Sequence, residues 1–233
     1  MIETPAMPVL AITGASTGIG AATARHAVKA GWQVVLGARS LDKLEALAEE
    51  LGGEANALAV RCDVTDWDDQ REFVRTAVEG YGGLDAMFAN AGFGAKRGFL
   101  EESVEHWRSM IETNIYGCAL TIRATLPHFR ERGAGHFLLT SSVAGRVNLP
   151  GSLYSATKHA VTAMGHSLRA EVSGSGVRVT LIEPGAVDTP FFENTPDSAL
   201  EADDVARSVM FALTQPPSVE INEMLIRPAR QGT

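Results

Sequence analysis

The sequence has little of what secreted, membrane-spanning or disulfide-rich proteins require. Its two cysteines, Cys62 and Cys118, are far apart and lack CxxC spacing in a chain of 233 residues. We expect both to be buried, reduced thiols, as in a cytoplasmic protein. No apolar run approaches the roughly 18–20 residues that a membrane helix needs, so no membrane span is expected. The first apolar run follows Glu3 and no basic segment, unlike a signal peptide.

Positive charge is also scarce, with 20 Lys+Arg against 28 Asp+Glu and a formal net charge of −8. Because binding to phosphates depends on stripes of Lys and Arg, this balance argues against a nucleic-acid partner. The six histidines lack ligand spacing with cysteines or acids, so we expect no metal site. A composition of 45% hydrophobic and 21% charged residues is that of a globular protein.

Short apolar segments typical of strands alternate with helical patterns along the whole chain. The predicted strands are Val9–Thr13, Gln33–Gly37, Ala57–Arg61, Leu84–Ala89, His136–Ser141, Val177–Ile182 and Ile221–Arg227. The predicted helices lie near 18–31, 41–51, 67–80, 103–132, 153–174 and 202–214. Strands that are apolar on both faces are typical of a parallel sheet covered by helices. We predict an α/β fold in which residues 1–233 form one Rossmann-type domain, a doubly wound parallel sheet of about seven strands flanked by helices.

A glycine-rich segment, TGASTGIG at 13–20, joins the first strand to the first helix. Glycines let the backbone approach a pyrophosphate, and the helix N-terminus offers free N–H groups to it. This context predicts a dinucleotide site. The same residues also match the G-x-S-x-G nucleophile elbow, which makes a serine hydrolase using Ser16 the alternative. Only one strand precedes Ser16, however, and no histidine follows His166, so a hydrolase triad lacks its parts.

The residues after the second strand indicate which dinucleotide binds. In NAD-binding folds an acidic residue at this point accepts the ribose 2′-hydroxyl. Here the strand is followed by Ala38, Arg39 and Ser40. A guanidinium can pair with a 2′-phosphate in bidentate fashion, whereas a carboxylate would repel it. We therefore predict NADP(H) as the cofactor, recognised by Arg39; a solvated arginine at a helix start is the alternative.

Tyr154 and Lys158 stand four residues apart, on one face of a predicted helix. A tyrosine titrates near pH 10, and a neighbouring ammonium is expected to lower that pKa by favouring the phenolate. Ser142 follows the fifth strand, at the carboxyl edge where doubly wound folds bind ligands. Its hydroxyl could hydrogen-bond a carbonyl oxygen on which charge develops.

Seven segments, in this order and spacing, resemble the classical short-chain dehydrogenase/reductase family over essentially the whole chain. They are TGASTGIG at 13–20, CDVTD at 62–66, ANAG at 89–92, TNIYG around Asn114, SSVAG at 141–145, YSATK at 154–158 and EPGAVDTP at 183–190. The C-terminal segment resembles the branch of clavaldehyde-type reductases and 3-hydroxy acid/serine dehydrogenases. The resemblance implies an oxidoreductase that transfers a hydride between NADP(H) and a carbonyl or alcohol of a small to medium substrate.

The same resemblance implies roles for individual residues. Tyr154 would be the general acid/base, Lys158 would bind the nicotinamide ribose and tune Tyr154, and Ser142 would polarise the substrate oxygen. Asn114 would hold a water of the proton relay. The implied cofactor contacts are Gly14, Ser16, Thr17, Gly18, Ile19, Gly20, the adenine neighbours Asp63 and Val64, the channel residues Asn90, Ala91 and Gly92, and the nicotinamide neighbours Pro184, Gly185, Val187 and Thr189.

Two positions depart from the family pattern. Ala89 replaces the usual second Asn of the ANAG segment, and we expect this to affect packing more than chemistry. The interval from Ser142 to Tyr154 is one residue shorter than the family's. The interval counted from Ser141 to Tyr154 would match that of the family, so Ser141 is the second candidate. The SSxAG pattern favours Ser142.

The sequence leaves the substrate and the assembly open. A short loop near 187–200 predicts an open pocket, and Phe191–Phe192 could be a cover over it or only anchors of the loop. Lys96, Arg97 and Arg146 could steer a carboxylate-bearing substrate or be solvated charges. Apolar residues on several faces of the helices at 103–132 and 153–174 predict a homodimer or homotetramer. The alternative function is a catalytically inactive dinucleotide-binding regulator.

Overall fold

The structure is a computed structural model that describes residues 7–191 and 197–230. Within these residues, seven strands form one parallel sheet and two more form a small separate pair. The strands are β1 (Val9–Thr13), β2 (Gln33–Ala38), β3 (Ala57–Arg61), β4 (Ala86–Ala89), β5 (Gly135–Thr140), β6 (Val177–Pro184), β7 (Val187–Asp188), β8 (Leu200–Glu201) and β9 (Glu223–Ile226).

The order in the large sheet is β3-β2-β1-β4-β5-β6-β9. The order reverses between β1 and β4, the point at which ligands bind in open α/β sheets. Leu10 pairs with Val34 on one side and with Ala86 on the other, so β1 is an interior strand of the sheet. This confirms the predicted doubly wound sheet. The two-residue strands β7 and β8 were not predicted, because two residues carry no periodic pattern.

Seven α-helices within the described residues cover the two faces of the sheet. They are α1 (Gly18–Lys29), α2 (Leu41–Glu50), α3 (Trp67–Tyr81), α4 (Val104–Ile111), α5 (Cys118–Arg132), α6 (Leu153–Glu171) and α7 (Ala202–Leu213). The buried side chains of α1, α2 and α7 form one apolar core, in which Leu44 and Val209 are fully buried. Those of α3, α5 and α6 form the other, around Phe73 and Phe129.

The prediction of one helix over 103–132 is wrong in its middle. A π-helical turn, Glu112–Gly117, separates α4 from α5. The turn contains Asn114 and ends at Gly117, where a Cβ would lie 2.6 Å from Val64 Cγ2. A π-turn inserts one residue without ending the helix, and such turns frequently occur at functional sites. The apolar periodicity continues through it, so the pattern alone did not reveal it.

The structure also shows how α3 begins and confirms the expected burial of the cysteines. The Asp66 side chain accepts hydrogen bonds from the N–H groups of Asp68 and Asp69 and so caps α3. Both cysteines, Cys62 and Cys118, are free and buried. Among the described residues, the structure contains no helix long and apolar enough to cross a bilayer.

Candidate active site

The glycine-rich segment forms a tight turn between the carboxyl end of β1 and the start of α1. Gly14 and Gly18 have φ values of +67° and +55°, which side chains rarely adopt. A Cβ at Gly14 would lie 2.8 Å from Ala91 Cα, and one at Gly20 would lie 2.4 Å from the Gly14 carbonyl oxygen. The turn therefore requires glycine at these positions.

The N-terminus of α1 has uncapped N–H groups that are suited to binding an anion. Thr17 is the N-cap residue, yet no side chain accepts a hydrogen bond there, and the first turn, which contains Ile19, has no acidic residue. Uncapped N–H groups and the positive end of the helix dipole favour a phosphate. Thr189 packs its methyl group against Gly18, where a Cβ would lie 3.0 Å from it. The residues present thus fit the pyrophosphate of a dinucleotide.

Arg39 is exposed immediately after β2, and Asp63 follows β3 at the same sheet edge. The Asp63 carboxylate accepts hydrogen bonds from the main chain and the hydroxyl of Thr65, at 3.0 and 2.8 Å. Partial burial opposes its ionisation, but these hydrogen bonds and the nearby Arg39 charge together lower the pKa of Asp63. Arg39 therefore lies at the sheet edge where the sequence predicts that the adenosine half binds.

Asn90 ties the ends of three strands together. Its Nδ2 donates to the carbonyls of Thr13 and Gly14, at 3.2 and 3.3 Å, and its Oδ1 accepts from Thr140 Oγ1 at 3.2 Å. The Ala91 N–H donates to Thr13 Oγ1. Asn90, which we expected to line the cofactor channel, thus holds the ends of these strands together. Its side-chain amide is already hydrogen-bonded to other residues of the protein.

Ala89, the departure from the family pattern, borders a small cavity together with Val64, Gly117 and Cys118. Thr13 of β1, Ala91 after β4 and Thr121 of α5 complete its lining, which contains none of Ser142, Tyr154 and Lys158. That Ala89 affects packing more than chemistry stays a prediction. Val64, expected beside adenine, is 7% exposed and packs against Gly117.

Ser142 and Tyr154 are brought together at the carboxyl edge of the sheet. The Ser142 hydroxyl is near enough to the Tyr154 phenol to lower its pKa, and Ser142 Oγ donates to the Pro184 carbonyl at 3.3 Å. Ser141 points the other way, since its Oγ donates to the Lys158 carbonyl at 3.0 Å and contacts Thr162. The geometry therefore selects Ser142, not Ser141, as the partner of Tyr154, despite the shorter interval.

Lys158 is 3% exposed and lies beside Tyr154 on α6. Its Nζ is 5.7 Å from the centre of the Tyr154 ring and donates to the Thr140 carbonyl at 2.7 Å. A Cβ at Gly92 would lie 3.5 Å from the same Nζ. The ammonium is therefore buried between the end of β5 and the ANAG segment.

The expectation that Lys158 lowers the pKa of Tyr154 is wrong for the protein alone. Burial raises the pKa of Tyr154 to about 12, and the hydrogen bond from Ser142 offsets this only in part. Burial also lowers the pKa of Lys158 to about 8. Taking both groups from water disfavours both charged forms, and this outweighs their mutual attraction. The phenol is consequently protonated at neutral pH.

Asn114 is 1% exposed in the π-turn, and its side chain makes three hydrogen bonds within the protein. Its Oδ1 accepts from the Phe93 N–H at 3.0 Å, while Nδ2 donates to the Phe93 carbonyl and to Thr157 Oγ1, at 2.9 and 3.1 Å. The amide joins the loop after β4 to α6. The predicted role of Asn114 in holding a relay water stays a prediction.

The segment after β6 lies between the glycine turn and the Tyr154 side chain. The Gly185 N–H donates to the Ile226 carbonyl at 2.7 Å, and Val187 is 5% exposed. Phe191 packs edge-on against Tyr154, with ring centres 5.4 Å apart. It also lies against Gly94, where a Cβ would be 2.6 Å from the ring. Phe192 lies outside the described residues.

The three candidate substrate-steering charges have different surroundings. Lys96 and Arg97 are exposed on the loop after β4. Arg146 is held by two carboxylates: its Nε lies 2.8 Å from Glu183 Oε1, and its Nη2 contacts Glu223. The guanidinium of Arg146 is thus engaged within the protein, which the sequence did not indicate, because both partners are distant along the chain.

The hydrolase alternative gains no support from this geometry. Ser16 lies in the glycine turn, and no histidine ring within the described residues is hydrogen-bonded to it. His26 contacts Asp203, His106 the Gly94 carbonyl and His166 Glu223.

Comparison with known proteins agrees with this arrangement. The family model described as short chain dehydrogenase matches residues 8–199. An uncharacterized oxidoreductase of Staphylococcus saprophyticus is 36% identical over 240 residues, which cover 96% of this chain and 97% of the relative.

Two solved structures share the fold at high similarity. An alcohol dehydrogenase from the archaeon Thermococcus sibiricus, complexed with 5-hydroxy-NADP, has a TM-score of 0.90 and 34% identity, covering 97% of this chain and 99% of its own. A serine dehydrogenase complexed with NADP+ has a TM-score of 0.90 and 31% identity, covering 97% and 96%. With the matching segments and the reversed strand order, these findings show that the chain belongs to the short-chain dehydrogenase family.

Proposed function

We propose that this protein is an NADP(H)-dependent oxidoreductase that interconverts a carbonyl and an alcohol on a small to medium substrate. The observation that carries the proposal is the grouping of Ser142, Tyr154 and Lys158, in which Lys158 Nζ lies 5.7 Å from the centre of the Tyr154 ring and the Ser142 hydroxyl lowers the pKa of the phenol. This group lies at the same sheet edge as the uncapped N-terminus of α1. A phosphate cradle and a proton-donating pair on one edge are what hydride exchange with a carbonyl requires.

Each side chain has a distinct part in the proposed reaction. NADPH, when bound, supplies the hydride. Ser142 Oγ holds the substrate oxygen and stabilises the charge that develops on it. Tyr154 donates its proton to that oxygen, and Lys158 holds a positive charge beside the phenol.

The protonation states favour the reductive direction. With its pKa raised to about 12 by burial, Tyr154 carries a proton at neutral pH and is ready to donate it. After donation the phenolate lies near the Lys158 ammonium, 5.7 Å from the ring centre, which stabilises it. Lys158 retains most of its charge below about pH 8.

The preference for NADP(H) rests on Arg39 and receives support from the two solved relatives with NADP-type ligands. Arg39 stands where an acidic residue would favour NAD. For the substrate, exposed Lys96 and Arg97 beside the cleft favour a molecule bearing a carboxylate, and the Phe191 ring offers an apolar contact.

A panel of aldehydes, ketones and oxo acids assayed with NADPH and with NADH tests this function. The reverse panel of alcohols and hydroxy acids is assayed with NADP+ in parallel. We expect turnover of at least one carbonyl, faster with NADPH. Tight NADPH binding without turnover of any substrate would instead favour the inactive regulator.

A further inference from the structure

The pair formed by Arg146 and Glu183 lies directly behind the proposed site and is not explained by it. Glu183 is fully buried at the end of β6, next to Pro184. Arg146 Nε lies 2.8 and 2.9 Å from its two carboxylate oxygens. A buried carboxylate without a partner is very costly, so Glu183 firmly requires this guanidinium.

Arg146 is also part of the short turn that carries Ser142. Residues Val143–Gly145 form a single 3-10 turn, with Ser142 as its N-cap and Arg146 as its C-cap. Ser142 Oγ accepts from the Ala144 N–H at 3.0 Å, and the Arg146 N–H donates to the Val143 carbonyl. Any movement of Arg146 is therefore transmitted to Ser142 through one hydrogen-bonded turn.

The other side of this turn is fastened to α6. Ser155 Oγ lies 2.6 Å from the Ala144 carbonyl oxygen and 2.8 Å from that of Val147. A Cβ at Gly145 would lie 2.8 Å from the Lys158 carbonyl. The turn is thus wedged between α6, which carries Tyr154, and the end of β6, and Arg146 makes the second of these two attachments.

The attachment extends to the edge of the sheet. Arg146 Nη2 contacts Glu223 on β9, whose other carboxylate oxygen lies 2.5 Å from His166 Nε2. The guanidinium consequently bridges two neighbouring strands, β6 and β9. A planar fork with several donors can do this, whereas a lysine ammonium cannot reproduce the same geometry.

We propose that Arg146 is a positioning residue for the carbonyl site. By joining the Ser142 turn to Glu183, it fixes the distance between Ser142 Oγ and the Tyr154 hydroxyl. This inference rests on the proposed function for its kinetic consequence, and it assigns to Arg146 a task other than contact with the substrate.

The test compares Arg146→Lys with Arg25→Lys. Arg25 makes a similar two-point pair with Glu50, at 2.6 and 2.8 Å, remote from the site between α1 and α2. Because small displacements of reacting groups are costly, Arg146→Lys is expected to lower kcat about ten- to hundredfold. Its Kd for NADPH should match the wild type, since the glycine turn and Arg39 are unchanged. Arg25→Lys should change neither kcat nor the Kd for NADPH.

Hydrogen–deuterium exchange provides a readout that does not depend on turnover. In Arg146→Lys the amides of 143–147 should exchange faster than in the wild type, and in Arg25→Lys they should not. Arg146→Ala adds a chemical test, because millimolar guanidinium should restore part of its kcat while sodium chloride at equal ionic strength should not.

The outcomes separate this inference from the proposed function. A wild type that reduces no carbonyl refutes the function, and the exchange of 143–147 then decides alone whether Arg146 holds the turn. If the wild type is active, a normal kcat in Arg146→Lys overturns the inference. So does an equal loss in Arg25→Lys, or a matching loss of NADPH affinity in Arg146→Lys. If Arg146→Ala does not fold, the kcat and the amide exchange of Arg146→Lys decide between these outcomes.

Discussion

Ser141 and Ser142 have different tasks because successive side chains of an extended segment point to opposite sides. Ser141 contacts Thr162 on α6, whereas the Ser142 hydroxyl faces Tyr154 and lowers the pKa of its phenol. In the sequence, the SSxAG pattern favours Ser142, whereas the spacing to Tyr154 favours Ser141. The choice depends on where the strand ends, which the sequence does not specify to the residue.

Among single residues, Arg39 should determine the preference of the protein for NADPH over NADH. Replacing it with Ala should remove a charge-assisted phosphate contact of about 1.5–3 kcal/mol, a ten- to hundredfold loss of NADPH affinity. Binding of NADH should barely change. Arg61→Ala is the matched control, because Arg61 lies nearby but its Nη1 is paired with Asp69 at 3.0 Å. Fluorescence titration with both coenzymes measures the effect, and equal losses for NADH would make Arg39 structural.

Lys158 should give the protein a recognisable pH dependence of stability. Burial lowers its pKa to about 8, below the value of about 10.4 in an unfolded chain. The unfolded state therefore binds more protons between these values, so the free energy of unfolding should rise with pH in that window. The full gain is about 3 kcal/mol and is lost as the pH falls from about 10 to 8.

Urea unfolding of the wild type and of Lys158→Met at several pH values measures this contribution as a difference. The wild type should gain stability relative to the variant from about pH 8 to 10. If the free energies of unfolding of the wild type and of Lys158→Met changed in parallel with pH, the pKa of Lys158 would not be lowered in the protein.

Among the structural elements, the π-turn Glu112–Gly117 does most to shape the site. It places the Asn114 amide where it can reach both the Phe93 backbone and Thr157 on α6. The TNIYG motif indicated Asn114, but the π-turn itself depends on packing against Val64 and leaves no mark in the composition. The strands, in contrast, were predictable because their side chains are apolar on both faces.

Asn114→Ala should disturb both stability and catalysis. It removes three hydrogen bonds of a side chain that is 1% exposed, at a cost of about 2–4 kcal/mol. Because the Phe93 loop is then released from α6, kcat should fall as well. Asn56→Ala is the control, since its Nδ2 donates to the Leu51 carbonyl far from the site. A normal kcat in Asn114→Ala, together with reduced stability, would mean that Asn114 stabilises the fold but has no part in catalysis.

At the scale of the whole molecule, the exposed apolar surface of the central helices favours a homo-oligomer. Val104 is 67% exposed and Tyr116 54% exposed on the α4–α5 segment, and Ala163 is exposed on α6. In the two-fold assembly that the family resemblance implies, the same surface would meet its own copy. We expect a dimer or tetramer at micromolar concentration.

Light scattering with size-exclusion chromatography measures the mass. Ala163→Glu places a charge on this surface and should reduce the assembly, whereas Leu41→Glu, on the exposed start of α2, should not. A monomeric wild type would exclude the assembly.

The whole-molecule architecture was the most predictable level, because the alternation of strands and helices dictates a doubly wound sheet. What escaped prediction were contacts between distant residues, such as the ion pair of Arg146 with Glu183 and the ring contact of Phe191 with Tyr154. These depend on three-dimensional neighbours, and no local pattern specifies them.

The central claim is that the Tyr154 hydroxyl supplies the proton to the substrate oxygen. Tyr154→Phe keeps the ring against Phe191 and removes only the acid. With the best carbonyl substrate of the wild type and NADPH, the variant should lose about 10²–10⁴-fold in kcat. Its NADPH affinity should be retained, since the glycine turn and Arg39 are unaltered. Near-normal turnover by Tyr154→Phe would contradict the claim and remove Tyr154 from the mechanism.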